Sequence, residues 1–245
     1  ITLWHRHLGR FLTAMAEAKP SAVGIDIVLP DRSFDAVVPG SDKLLLKGML
    51  DARRAYPLVL ALTVDPAGKL RAIHPSFLAM AGAGGAGYAL FPADGDGRIR
   101  RFDERLGAGG EQVPTLAGQM ARHLGIEPRA GLIDYWRGAP FTYLPLHQVL
   151  QWFDNNDSGA LERAFRGRPV FLGMVLQFTD RQPVPEALAA WEPGAPDIPG
   201  VLLQAQALRN LLGSGFIQPV PRAAVIAAVI AAALLWFMSG STLLI

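Results

Sequence analysis

The sequence predicts an α/β fold in which a mixed β-sheet is flanked by helices on both faces and followed by a C-terminal transmembrane helix. Two observations support this prediction. Short apolar segments rich in β-branched residues alternate with segments of helical periodicity, and residues 223–245 contain no charged side chain. We therefore divide the chain into a folded domain, residues 1–222, and a membrane helix, residues 223–245.

The helical and strand segments follow one another along the whole domain. Apolar periodicity predicts helices over residues 3–18, 42–55, 114–124, 146–153, 159–165 and 201–212. Apolar runs predict strands over residues 22–29, 58–64, 87–91, 98–102, 131–135 and 169–175. The Asp-Gly pairs in residues 93–97 predict a turn that joins strands 87–91 and 98–102 as a hairpin. Residues 176–199 are expected to form a long Pro-rich loop.

The charge-free C-terminal segment is long enough to cross a bilayer. A helix over residues 223–245 spans about 35 Å, against a hydrocarbon core of about 30 Å. Pro219 and Pro221 precede the segment, and Arg222 lies at its boundary, where a basic side chain can reach the headgroups. The alternative is a buried core helix, or an alanine-rich segment weakened by residues 239–241. The absence of charge favours the membrane.

Composition limits the classes of protein to which the chain belongs. Its 245 residues are 51% hydrophobic and 18% charged, which fits a folded core and argues against disorder. The absence of cysteine excludes a disulfide framework and thiolate metal sites. Basic residues alternate with acidic ones, so we expect no nucleic-acid partner. Because the chain opens on Ile1, we expect a fragment of a longer protein.

Several segments, taken in order, resemble the CHASE type-2 family, the cyclase/histidine-kinase-associated sensory extracellular domains. The segments that carry the resemblance are Val23–Pro30, Asp94–Arg101, Pro114–Ala117, Ile133–Tyr135, Phe165–Gly173, Pro199–Gln206 and Leu211–Phe216. The sequence departs from the family pattern at Gln204 and Gln206, where His and Asn are often expected.

The resemblance implies a periplasmic or extracellular input domain of a receptor in the bacterial inner membrane. Such domains respond to a small molecule or an envelope stimulus and act on a cytoplasmic adenylate or guanylate cyclase, histidine kinase or similar output. The resemblance also implies a homodimer and a fragment that is itself not catalytic. The first helix, residues 2–18, would then continue from a preceding membrane span.

Polar residues near strand ends are the candidate ligand-binding residues, because ligands of α/β sheets bind there. They are Asp26, Asp31, Tyr88, Arg101, Gln177 and Asp180. Asp26 and Asp31 follow one strand, Gln177 and Asp180 follow another, and the remaining two flank the predicted hairpin. The alternative for the aspartates that follow the first strand is that they cap the next turn.

Enzymatic motifs are weak, and we expect no cofactor and no metal. Residues 82–87 match a dinucleotide fingerprint, but they precede a strand instead of following one. A calcium loop around Asp94 and Asp96 would place Pro92 at its first ligand position. Two alternatives to a sensor stay open: a membrane-anchored periplasmic enzyme and a structural module of an envelope complex.

Overall fold

The computed structural model describes residues 4–65 and 67–240 and contains a central four-stranded parallel sheet. Its strands are β1 (Ala22–Asp26), β2 (Leu58–Leu62), β3 (Ala86–Tyr88) and β6 (Pro169–Gly173). They lie in the order β3-β2-β1-β6, and every neighbouring pair is parallel. The prediction of a mixed sheet was therefore wrong. Helical crossovers connect β1, β2 and β3, and a helical crossover requires parallel strands.

Helices cover both faces of this sheet, as predicted. They are α1 (His5–Ala18), α2 (Ser41–Ala55), α3 (Pro75–Ala81), α4 (Leu116–His123), α5 (Leu146–Asp154), α6 (Ser158–Phe165), α7 (Gly200–Leu212) and α8 (Arg222–Gly240). Side chains of α1, α2, α3, α5 and α6 share one core with Val23 and Ile25 of β1. Side chains of α4 and α7 share the second core with Ala22, on the opposite face of the same strand. This alternation follows from the two-residue period of a strand.

Helices α1 and α2 cross in unusually close contact because glycines face each other. A Cβ atom on Gly48 would lie 2.2 Å from the carbonyl oxygen of Gly9. At one side of the crossing, Nδ1 of buried His5 lies 2.8 Å from Oδ1 of Asp42. The Tyr56 hydroxyl, just after α2, donates to the Leu12 carbonyl at 3.0 Å. These contacts hold α1 against α2.

The predicted hairpin is wrong, although its turn exists. Residue 93 bridges residue 99, and the Asp94 amide donates to the Arg98 carbonyl at 2.9 Å. Beyond the turn the strands separate, because β3 pairs with β2 while β4 (Arg101–Phe102) pairs with β5 (Gly131–Leu132). The ring of Phe102 stacks on Phe216 with centroids 4.8 Å apart. Burial of this ring draws β4 away from β3.

The predicted loop at residues 176–199 is partly a small sheet. Strands β7 (Arg181–Pro183) and β8 (Asp197–Pro199) pair in antiparallel register within it. The Arg181 guanidinium binds carboxylates of Glu192 and Asp197 at 2.7 and 2.8 Å. This segment therefore has a fixed path from the end of β6 to the start of α7. Residues 108–110 form a short 3-10 turn.

Helix α8 carries the predicted membrane segment as far as the structure describes it. Within residues 4–65 and 67–240, no helix is both long enough and apolar enough to cross a membrane. The large apolar side chains of α8 between Val225 and Phe237 are exposed. Residues 241–245 of the predicted span lie outside the described residues, as do residues 2 and 3 of the predicted first helix.

Candidate functional site

A cavity opens where the order of the parallel strands reverses. Strands β2 and β3 follow β1 on one side of it, and β6 lies on the other side of β1. The carboxyl ends of β1 and β6 diverge at this point, where ligands of open α/β sheets bind. The cavity has a volume of about 280 Å³. Its polar lining residues are Asp26, Thr63, Arg71, Asp180, Gln182 and Gln204.

Asp26 is the most unusual group in this cavity. It is the last residue of β1, opposite Gly173 of β6, and only 9% of it is exposed. Its carboxylate makes no hydrogen bond or ion pair with any residue that the structure describes. Burial, reinforced by the charge of Asp180, raises the pKa of Asp26 from 3.8 to about 7. A buried carboxylate without a partner destabilises the fold, which makes this residue a candidate functional group.

Asp180 approaches the same cavity from the loop after β6. Its backbone adopts a left-handed φ of 53°, and its carbonyl accepts from the Gly200 amide at 2.9 Å. A Cβ on Gly200 would lie 2.6 Å from Oδ2 of Asp180, so the glycine leaves room for the carboxylate beside the first turn of α7. Partial desolvation of this carboxylate raises the pKa of Asp180, although the residue as a whole is exposed.

Gln204 brings an unsatisfied polar group to the cavity wall. It lies on α7, one turn beyond Gly200, and is 2% exposed. Its Oε1 atom has no hydrogen-bond partner among the described residues. Gln182, in contrast, donates from Nε2 to Asp180 at 3.2 Å. Two carboxylates and the buried side chain of Gln204, whose amide oxygen is unpartnered among the described residues, therefore line one cavity.

Arg71, the positively charged residue of the lining, pairs with neither carboxylate of the cavity. Arg71 is exposed, and its side chain makes no ion pair with a described residue. No cation contributes to the pKa shift of Asp26 or of Asp180. The negative charge of the site is therefore uncompensated within the described part of the chain.

The structure brings together two of the six predicted site residues, Asp26 and Asp180. Asp31 is exposed in the loop beyond β1 and pairs with Arg32 at 3.1 Å. Arg101 pairs with Asp94 at the turn, at 3.0 Å. Neither lines the cavity, and neither do the other two, Tyr88 and Gln177. That any of the six binds a ligand stays a prediction.

Sequence reasoning did not assign Gln204, Gln182 or Arg71 to the site. Gln204 was visible as a departure from the family pattern, and its position one turn into a helix that follows a strand end is a usable signal. Arg71 follows β2 by several residues in an irregular loop, so its position depends on tertiary contacts that no local pattern encodes.

A larger groove of about 790 Å³ runs beside β6, but its chemistry differs. Most of its lining is apolar, and its charged residues are Arg168 and Arg209. Arg209 lies 3.6 Å above the Phe141 ring and donates to backbone carbonyls. We place the candidate site in the smaller cavity because polar groups with raised pKa values converge there. The described residues contain no cluster of three or more metal-ligating side chains.

The fold and the cavity define an α/β domain with a ligand-sized site at its strand ends. The CHASE2 domain family model matches residues 3–244, and the chain belongs to this family of extracellular sensory domains. The resemblance seen in the sequence is thereby confirmed. No curated protein and no solved structure matches the chain. Because CHASE2 domains are sensory and not catalytic, membership supports a sensor role for this chain.

Proposed function

We propose that this chain is the extracytoplasmic input domain of a bacterial transmembrane receptor and that the cavity between β1 and β6 receives the stimulus. The observation that carries the proposal is the carboxylate of Asp26, buried without a partner at the strand-order reversal of a sensory-family domain. Stability alone would not favour such a group. A function that needs the carboxylate accounts for it.

The position of the cavity suggests how occupancy would be transmitted. Gly200 and Gln204 belong to the first turns of α7, and the chain leaves the C-terminal end of α7 through residues 213–221 into α8. A ligand that binds both Asp26 and Gln204 would shift α7 relative to the sheet. In our proposal this shift moves α8 relative to α1 and biases a cytoplasmic output.

We place residues 223–245 in the bacterial inner membrane, with residues 1–222 on the periplasmic side. Two observations support this: the segment has no charge, and the apolar side chains of α8 are exposed. The described helix of 19 residues covers about 28 Å.

The absence of cysteine allows a direct test of this topology. A single cysteine at exposed Asn155 should react with a membrane-impermeant maleimide added to intact spheroplasts. The parent chain is the unreactive control. If Asn155→Cys reacts only after lysis, the periplasmic placement is wrong.

We further propose a homodimer that controls a cyclase, histidine kinase or similar output. A cysteine at exposed His7, on α1, should cross-link two copies in lipid if α1 lies near the dimer axis. The complete coding sequence and its activity test the output: a cytoplasmic catalytic domain is expected. Hydrolase activity retained by residues 1–245 would favour a periplasmic enzyme instead. A complete protein without an output domain would favour a structural module.

A further inference from the structure

We infer that the ligand of the cavity at the ends of β1 and β6 is a small molecule carrying a protonated amine. This inference rests on the proposed function, because it names the ligand class of the proposed stimulus site. The observation behind it is that Asp26, Asp180 and Gln204, a buried residue with an Oε1 unpartnered among the described residues, line one cavity.

Charge is the first argument. Asp26 and Asp180 are close enough for their charges to repel, and no cation in the described part of the chain forms an ion pair with either of them. A ligand with a positive group would relieve the repulsion and give Asp26 the partner that it lacks. A neutral or anionic ligand would leave Asp26 uncompensated.

Hydrogen bonding is the second argument. An ammonium group offers three donors and no acceptor. The two carboxylates of the cavity are acceptors, and the Asp26 carboxylate has no donor within the described part of the chain, so the donors of an ammonium group match them. Gln204 adds an independent observation, because its uncharged side chain lines the same cavity, is 2% exposed and leaves Oε1 without a partner among the described residues.

The size and the apolar walls favour an organic amine over a metal ion. The cavity volume of about 280 Å³ equals that of about nine water molecules. Ile27, Met174 and Leu203 line it beside the polar groups. A calcium ion needs six to eight oxygen ligands at close range. The alkyl stem of an amine, in contrast, packs against apolar walls.

Arg71 distinguishes two sources of the amine. Arg71 lines the cavity, and its guanidinium has no carboxylate partner among the described residues, so it is available for the carboxylate of an amino acid whose amine lies at Asp26. A simple alkylamine would not use Arg71. An amino acid and an alkylamine would thus both bind Asp26 through the amine, and only the amino acid would also bind Arg71.

The test is calorimetric titration of the whole chain in maltoside micelles with n-butylamine, putrescine and L-valine, with sodium acetate, glucose and calcium chloride as comparison probes. The probes are titrated to millimolar concentrations, because ligands with so few atoms bind weakly. We expect at least one amine to bind and Asp26→Asn to weaken it by about tenfold or more. The matched control is Asp31→Asn, a carboxylate at the same end of the sheet outside the cavity, which should change affinity less than about twofold.

The variants also identify the source. If an amino acid is the natural class, Arg71→Gln weakens L-valine and leaves n-butylamine unchanged. The amine inference is overturned if glucose or calcium binds and none of the amines does. If Asp26→Asn also abolishes that binding, the cavity is still the ligand site. If no probe binds, and Asp26→Asn and Asp180→Asn leave the output of the complete receptor unchanged, the proposed function fails as well.

Discussion

Replacing Asp26 with asparagine should stabilise the domain, and the gain should depend on pH. The pKa of Asp26 is about 7 in the folded protein, against 3.8 for an ordinary aspartate. The folded state therefore holds the proton more tightly than the unfolded chain does. The protonated carboxyl of Asp26 contributes its whole stabilisation of the fold below about pH 4. This contribution decreases as the pH rises towards about 7 and is absent above that. Asparagine resembles the protonated carboxyl and does not titrate.

The size of the effect follows from the two pKa values. Each pH unit between them corresponds to about 1.4 kcal/mol, so the ionised carboxylate of Asp26 costs the folded state about 4 kcal/mol. This figure is an upper bound, because local opening of the cavity would hydrate the charge. At about pH 8 the Asp26→Asn variant should be more stable by up to this amount. At about pH 4 the difference should fall below about 1 kcal/mol.

Denaturant unfolding of the whole chain in detergent micelles, followed by tryptophan fluorescence, measures this difference at both pH values. Asp31→Asn is the matched control, because Asp31 is exposed and its neutralisation should change stability by no more than about 0.5 kcal/mol. If Asp26→Asn is less stable than the parent at about pH 8, the carboxylate has a stabilising partner and the reasoning is refuted.

Three further predictions test the packing, a buried ion pair and the ligand. Gly48→Ala should lower the free energy of unfolding by about 1–3 kcal/mol because its Cβ meets the backbone of α1 at 2.2 Å, whereas Gly95→Ala has open space and should be neutral in the same thermal melts. Glu104→Ala should cost about 3 kcal/mol, because buried Glu104 pairs with Arg122 and accepts from the Thr115 amide at 2.8 Å, and the variant leaves both partners without it. Exposed Glu127 also pairs with Arg122, but Glu127→Ala should cost less than about 1 kcal/mol in the same melts; equal losses would contradict this. Affinity for n-butylamine should fall as the pH drops below about 7, because Asp26 gains a proton; calorimetry showing constant affinity from about pH 8 to about pH 5 would contradict it.

Much of the fold could be predicted from the sequence because helices and buried strands leave local patterns. Helix α2 and strand β2 lie within two residues of their predicted bounds. Strand pairing was harder, since the position of β6 beside β1 depends on contacts between residues far apart in the chain. The hairpin prediction was wrong because the turn at residues 93–97 is real while the burial of Phe102 separates its strands.

Only those residues of the site that lie at or just after strand ends could be predicted from the sequence. Asp26 ends β1, and Asp180 follows β6, so the parallel register brings them to one edge of the sheet. Gln177 and Asp31 also follow these strands, but their loops turn to solvent. Gln204 reaches the cavity because α7 starts directly after β8 and packs over the sheet. The sequence shows the start of this helix after a strand end, but the packing of α7 over the sheet depends on tertiary contacts.

The most direct test of the central claim is the pKa of Asp26 itself, measured by carbon NMR of its carboxyl group in the whole chain, with Asp26→Asn to assign the signal. We expect a pKa near 7 in the free protein, because the carboxylate is buried and unpartnered among the described residues. We also expect the pKa to fall below about 4 when n-butylamine saturates the cavity, because the ammonium group stabilises the ionised form. A pKa near 4 in the free protein, or one that saturating amine leaves unchanged, would contradict the account.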